Sequence, residues 1–66
     1  MNKEKFAKIV KNFHKDKNHL VLELATEFEV ARSTVVRWAK GVAIPAPRIR
    51  AMIVDAIERI TNAAVG

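Results

Sequence analysis

The chain has no cysteine among its 66 residues. This excludes a disulfide framework and a thiolate metal site, so the stability of so short a chain must come from packing. Half of the residues are hydrophobic and 29% are charged, which is the balance of a globular domain and is too hydrophobic for a disordered tail. We expect one domain spanning residues 1–66, because two separate cores would each be too small to fold.

Long hydrophobic runs are also missing. Apolar runs such as Ile53–Val54 are far too short to cross a bilayer. The N-terminal segment Met1–Val10 alternates lysines with apolar residues and lacks the core of a signal peptide. Together with the lack of cysteine, this pattern predicts a cytoplasmic protein.

Residue combinations for catalysis or metal binding are equally scarce. His14 and His19 do not share a helical face, and no carboxylate or cysteine cluster completes a metal site with them. No serine, histidine and acid combination rests on a scaffold that could bury it, and so short a chain has little room for a substrate cleft. We therefore expect no enzyme activity, metal, cofactor or small-molecule ligand.

Acidic residues are outnumbered by basic ones, and the formal net charge is +5. Such a charge indicates a polyanionic partner, either nucleic acid or an acidic membrane surface. Segment Ala31–Arg50 contains five basic residues and no acid. Six lysines are spread over Met1–Lys17 and suit either solubility or phosphate steering. Because they surround the first predicted helix instead of lining one polar face, a membrane surface is the disfavoured partner.

Apolar residues recur at helical spacing in four segments, and no segment alternates with period two over more than a few residues. The spacing predicts helices over about Asn2–Phe13, His19–Phe28, Arg32–Lys40 and Pro47–Thr61. The predicted helix-end residues are Asn18 as N-cap of the second helix, Ser33 or Thr34 as N-cap of the third, Gly41 after it and Pro47 opening the fourth. We therefore predict an all-α bundle of about four helices.

The spacing of segment Val21–Lys40, VLELATEFEVARSTVVRWAK, is what two helices joined by a tight turn require. This segment resembles the helix-turn-helix of the phage lambda repressor and Cro family, also called XRE-type. The similarity is strongest in Ser33–Trp38, followed by Gly41 and by the loop Pro45–Pro47 before a final amphipathic helix. It covers about Leu20–Ile60.

The resemblance implies a lambda repressor-like fold and a sequence-specific DNA-binding transcriptional regulator. The shortness of the chain, with no second domain for ligand sensing, is more similar to a Cro-type repressor than to a two-domain repressor. Such a protein would bind double-stranded DNA at the nucleoid of a bacterial or phage-infected cell, as a symmetric homodimer on a palindromic operator. Four apolar residues exceed what one small bundle needs and suggest a homodimer contact at the C-terminal end: Met52, Val54, Ile60 and Val65.

The resemblance also implies the DNA-contacting residues, all of them on the third helix. Bases would be read by Arg32, Ser33, Val36 and Arg37, and phosphates would be bound by Thr34 and Lys40. Helical geometry agrees for the base readers, because they share the outward stripe when Val35 and Trp38 point into the core. Arginine can bind O6 and N7 of guanine as a bidentate pair, and an exposed valine suits the methyl group of thymine.

Two positions depart from the pattern of the family. Glu29 stands at the turn, where glycine is common because the backbone can adopt positive φ, so strain of about 1 kcal/mol or a different turn is expected. Val21 stands where a glutamine often reaches a phosphate at the start of the second helix, and that contact is not expected here.

Two other functions remain open from the sequence. A MerR- or excisionase-like winged helix would use the segment after Gly41 as a wing, although Gly41–Pro47 is short and interrupted by proline. A helical protein-interaction module of the antitoxin type would use exposed Leu22, Val42 and Ile44.

Overall fold

The computed structural model describes residues 1–65, except for the side chain of Val65. Within this range the chain forms four α-helices and one turn of 3₁₀ helix, and it contains no strand. The elements are α1 (Lys3–Asp16), the 3₁₀ turn (Asn18–Leu20), α2 (Val21–Glu27), α3 (Arg32–Ala39) and α4 (Pro47–Val65). The predicted all-α fold is confirmed for these residues, which form no wing after α3.

Two helices extend beyond their predicted ends. α1 continues to Asp16, and its last turn carries His14 and Lys15, basic residues that suit the negative end of the helix dipole. α4 continues past Thr61 to Val65 through two alanines, which are the strongest helix formers. Neither extension adds to the apolar stripe from which the helix lengths were predicted. No helix within residues 1–65 has the length and apolarity needed to cross a membrane.

Both predicted N-caps are wrong. Asn18 does not cap α2, because its side chain bonds groups of α1 and α3 instead. α3 begins at Arg32, with Ala31 at the cap position and no side-chain cap, so Ser33 and Thr34 lie inside the first turn. Ala31 has the extended backbone of a cap residue (φ −71°, ψ 152°) but no polar side chain that a sequence pattern could detect.

The predicted helix boundaries at Gly41 and Pro47 are confirmed. Gly41 has a φ of +73°, and its N–H donates to the carbonyl oxygen of Trp38 at 3.0 Å. The N–H of Val42 donates to the carbonyl oxygen of Arg37, also at 3.0 Å. These two bonds form a Schellman motif, which ends α3 and turns the chain away from it. Pro47 is the first residue of α4, where its missing N–H costs nothing.

The core lies between two pairs of helices, because α1 and α2 each pack against both α3 and α4. Every helix contributes apolar side chains at helical spacing. The buried set is Phe6, Val10, Phe13, Leu20, Val21, Leu24, Ala25, Val35, Trp38, Ile53, Ala56, Ile57 and Ile60. Residues Ile9, Phe28, Val30, Ala39, Ile44 and Val54 pack against this set from the partly buried layer.

Trp38 joins three parts of this core. It is 6% exposed, and its ring lies edge-on to Phe6 of α1, with the ring centroids 6.3 Å apart. A second edge contact, to Phe28 after α2, has a centroid distance of 6.5 Å. Aromatic pairs in this arrangement are stabilised beyond their buried area. The expectation that Trp38 belongs to the core is confirmed, and its side chain fixes how α3 sits on α1.

Two charged contacts hold the elements around this core. Arg50 is 7% exposed, and its Nη1 donates to the carbonyl oxygen of Pro45 at 3.1 Å, so it anchors the loop between α3 and α4. Its Nε is buried without a hydrogen-bond partner among residues 1–65. On the surface, Arg59 of α4 donates to Glu27 of α2 and lowers the pKa of that carboxyl. The contribution of this ion pair to stability is lost as the pH falls through the lowered pKa of Glu27. Exposed ion pairs of this kind contribute little to stability.

We predict that Trp38→Ala destabilises the protein by about 3–5 kcal/mol, because it removes both edge contacts and leaves a cavity at the junction of three elements. At roughly 0.05–0.15 kcal/mol of stability per residue, this loss is a large part of the total for a chain of this size. Thermal and urea unfolding followed by circular dichroism measure it. Leu22→Ala, at a side chain that is 61% exposed, is the control and should melt close to the parent. A parental melting temperature for Trp38→Ala would contradict the packing described here.

Candidate nucleic-acid interface

The face of α3 that points away from the core collects most of the predicted site residues. Val35 and Trp38 are buried on the inner side, whereas Arg32, Ser33 and Arg37 are exposed. At 100° per residue, Ser33 and Arg37 lie opposite to the buried pair, and Arg32 lies at the border of that side. α3 therefore offers two guanidinium groups and a hydroxyl to solvent on one surface.

Of the remaining predicted residues, Val36 and Lys40 share the outward side of α3, and Thr34 lies at its flank. Thr34 is half-buried at one flank, and Lys40 is exposed at the C-terminal end of α3. Val36 is half-buried, which corrects the expectation of an exposed valine. Its side chain lines a groove together with Lys11 and His14 of α1. The residue patterns within each helix could not indicate this, because it depends on where α1 packs.

A shallow groove of about 340 Å³ runs between α1 and α3. Lys11 and His14 line it from α1, and Val36, Ala39 and Lys40 line it from α3. The groove therefore combines an apolar floor with basic groups from two helices. The sequence does not distinguish among the N-terminal lysines, but in the structure Lys11 lies beside α3. Only the long-range packing of α1 on α3 separates this lysine from the others.

A chain of two hydrogen bonds connects the first residue of α3 to α1. The Nη2 of Arg32 donates to the Oδ1 of Asn18 at 3.0 Å. The Nδ2 of Asn18 donates in turn to the carbonyl oxygen of His14 at 3.2 Å. Arg32 is thus exposed but tethered, an arrangement that the sequence did not predict. The sequence predicts Asn18 as a helix cap, but its side chain bonds His14 and Arg32, and Arg32 lies 14 residues away.

Acidic groups gather on another surface, around Arg59. The ion pair with Glu27 is the main cause of the raised pKa of Arg59, and Glu23 and Asp55 raise it further. These three acids belong to α2 and α4. α3 itself carries no acid, and neither does the rest of segment Ala31–Arg50. The acids of α2 and α4 and the basic groups of α3 thus lie on different elements, which leaves the outward face of α3 positively charged.

The turn between α2 and α3 sets the position of this face. The N–H of Glu29 donates to the carbonyl oxygen of Thr26 at 3.1 Å, and the N–H of Val30 donates to that of Ala25 at 3.0 Å. These two bonds form a second Schellman motif, with the same pattern as the one that ends α3 at Gly41. Here the left-handed position is occupied by Glu29, with a φ of +53°. The strained turn expected at Glu29 is therefore confirmed.

Residues 1–65 contain no group of three or more histidine, cysteine, aspartate or glutamate side chains that could hold a metal ion. The groups gathered on α3 and at the end of α1 are hydrogen-bond donors and cations. Such groups suit oxygen acceptors and negative charge. Chemically, this surface can bind an anionic polymer and donate hydrogen bonds to it.

Comparisons of the chain with protein-family models, with curated proteins and with solved structures found no match.

We predict that Glu29→Gly stabilises the protein by about 1 kcal/mol, because glycine adopts positive φ without the steric cost that a side chain carries. Glu29→Ala is the matched control, since it removes the same charge but keeps a β-carbon at φ +53° and should give no such gain. Urea unfolding of the three proteins measures the difference. Equal stabilisation by both substitutions would assign the effect to the lost charge and not to the backbone.

Proposed function

We propose that the protein is a sequence-specific DNA-binding transcriptional regulator in which α2 and α3 form a helix-turn-helix and α3 enters the major groove. One observation carries this proposal. The outward face of α3 is exposed and positively charged, while Val35 and Trp38 fix its opposite face in the core. A rigid basic helix of this kind matches the major groove, which is wide enough to admit an α-helix.

Each side chain on α3 has a role that fits its chemistry. Arg32 and Arg37 bind O6 and N7 of guanine, and Ser33 bonds a base edge beside them. Val36 contacts a thymine methyl from the outward side of α3, where it lines the groove between α1 and α3. Thr34 and Lys40 bind phosphates and position the helix without reading sequence.

The type of regulator follows from the resemblance of segment Val21–Lys40 to the lambda repressor and Cro family. We propose a Cro-type repressor with a lambda repressor-like fold, which binds a palindromic operator and occludes a promoter. Its function is binding alone, without catalysis, cofactor, metal or small-molecule ligand. Glu29 fits the proposed motif, because it adopts the positive φ for which the family commonly uses glycine.

A homodimer would match the two-fold symmetry of a palindrome. Two of the residues expected at the dimer contact are not available for it, since Ile60 is buried and Val54 packs against the core. The side chain of Val65 lies outside the described part of the chain. Met52 keeps 52% of its surface exposed, and Ile49 on the same helix keeps 38%. We propose these two side chains of α4 as the apolar part of the dimer contact.

A protein-interaction module is the second candidate, because Leu22 and Val42 are 61% and 68% exposed. Ile44, expected in the same surface, is half-buried and packs against the core. The basic face of α3 has no role in this alternative. DNA binding therefore explains more of the surface.

We predict that Arg37→Ala weakens binding to the cognate duplex by roughly 1–3 kcal/mol and weakens binding to unrelated DNA much less, because a bidentate guanine contact is lost. Lys40→Ala should weaken binding to all duplexes similarly and reduce the slope of log K against log salt by about one unit. Salt titrations of each variant on cognate and scrambled duplexes separate the two roles.

Arg59→Ala is the matched control for these titrations, since it removes an exposed arginine from the surface that carries the acids. It should change neither affinity nor salt slope appreciably. Equal losses on both duplexes for Arg37→Ala would remove this residue from base reading. A parent protein that fails to bind any duplex at low salt would favour the protein-interaction function.

We also predict that the two half-sites of the operator lie about 10 bp apart from centre to centre, one turn of the duplex, because both recognition helices of a dimer must reach the same face. Footprinting on duplexes with lengthened spacers measures this distance. Adding half a turn should abolish cooperative occupation of the two half-sites. Unchanged affinity with the longer spacer would show that the protein binds as independent monomers.

A further inference from the structure

Arg32 is held by a tether that no feature of the proposed recognition surface explains. Its guanidinium donates to Asn18, and Asn18 is itself fixed by donating to the carbonyl oxygen of His14. Because the amide nitrogen of Asn18 is turned toward His14, its oxygen must face Arg32. The 3₁₀ turn, anchored to α1 through His14, is therefore bonded to a side chain of α3.

The tether leaves Arg32 able to bind DNA. A guanidinium has five N–H donors, and the bond to Asn18 uses only one of them. The other donors suffice for a bidentate pair with guanine. A long side chain loses rotamer freedom when it binds, and a side chain already held in place loses less. Arg37 has no hydrogen bond from its side chain within residues 1–65, so only one of the two arginines is held in this way.

On the basis of the proposed function, we propose that Asn18 is a positioning residue that orients Arg32 toward a guanine edge. Asn18 thereby sets the base preference at the position that Arg32 reads. Asn18 acts through Arg32 and does not touch the base. The preference at the position read by Arg37 does not depend on Asn18. The specificity of α3 thus depends on two arginines. Arg32 is oriented by Asn18, and Arg37 becomes ordered only on binding.

A double-mutant cycle tests this coupling. The proteins are the parent, Asn18→Ala, Arg32→Ala and the double variant, measured on the duplex that the parent selects and on the same duplex with single base-pair changes. We expect Asn18→Ala to weaken binding to the selected duplex roughly threefold to tenfold, the cost of immobilising one long side chain. It should flatten the preference at one base position only. In the Arg32→Ala background, loss of Asn18 should have little further effect.

A purely structural role for Asn18 would give a different pattern. The same fold-loss with and without Arg32, or a loss of preference at every position, would overturn the proposal while leaving DNA binding intact. Asn12→Ala is the matched control, an exposed asparagine on α1 that should bind like the parent. Failure of the parent to bind any duplex would instead overturn the proposed function itself.

A second variant covers the case in which Asn18→Ala does not fold. Asn18→Asp cannot donate to the carbonyl oxygen of His14, but it keeps an acceptor for Arg32 and makes that bond charge-assisted, which strengthens it. The base preference should therefore persist, while the added negative charge should lower affinity for all duplexes similarly. Loss of the preference in Asn18→Asp, with a parental melting temperature, would contradict the positioning role.

Discussion

The packing of Trp38 against Phe6 and Phe28 holds α3 against α1 and the end of α2. A short helix has little stability of its own and is held by the face that it buries. α3 buries Val35 and Trp38, and this contact fixes its rotation about its own axis. The opposite face is therefore exposed to solvent, and both arginines of α3 are exposed as well. The same buried contact thus supplies stability and determines which side chains are available for binding.

The same backbone motif lies before α3 and after it. α2 and α3 both end in a Schellman motif, the first with Glu29 at the left-handed position and the second with Gly41. At Gly41 the positive φ costs no steric strain, whereas at Glu29 it does. The strain persists because the surrounding apolar contacts, including Phe28 on Trp38, hold the turn in place. The position of α3 therefore follows from a strained turn on one side and a relaxed turn on the other.

The sequence predicted what depends on local spacing and left out what depends on long-range packing. The stripes of apolar residues indicated four helices and the burial of Trp38, because side chains at helical spacing must share a face. The helix end predicted from the polar side chain of Asn18 was wrong, because the partners of this side chain belong to α1 and to the start of α3. The candidate site was anticipated for the exposed residues of α3. The contributions of Lys11 and Asn18 and the partial burial of Val36 were not, since each requires the position of α1.

The proposed function requires that α3 reads a base sequence in double-stranded DNA. The most direct measurement is selection of bound duplexes from a random library by the parent protein at low salt, followed by sequencing through successive rounds. We expect a palindromic consensus with guanines in each half-site, since α3 exposes two arginines. Enrichment of no sequence, with retention of all duplexes or of none, would contradict it.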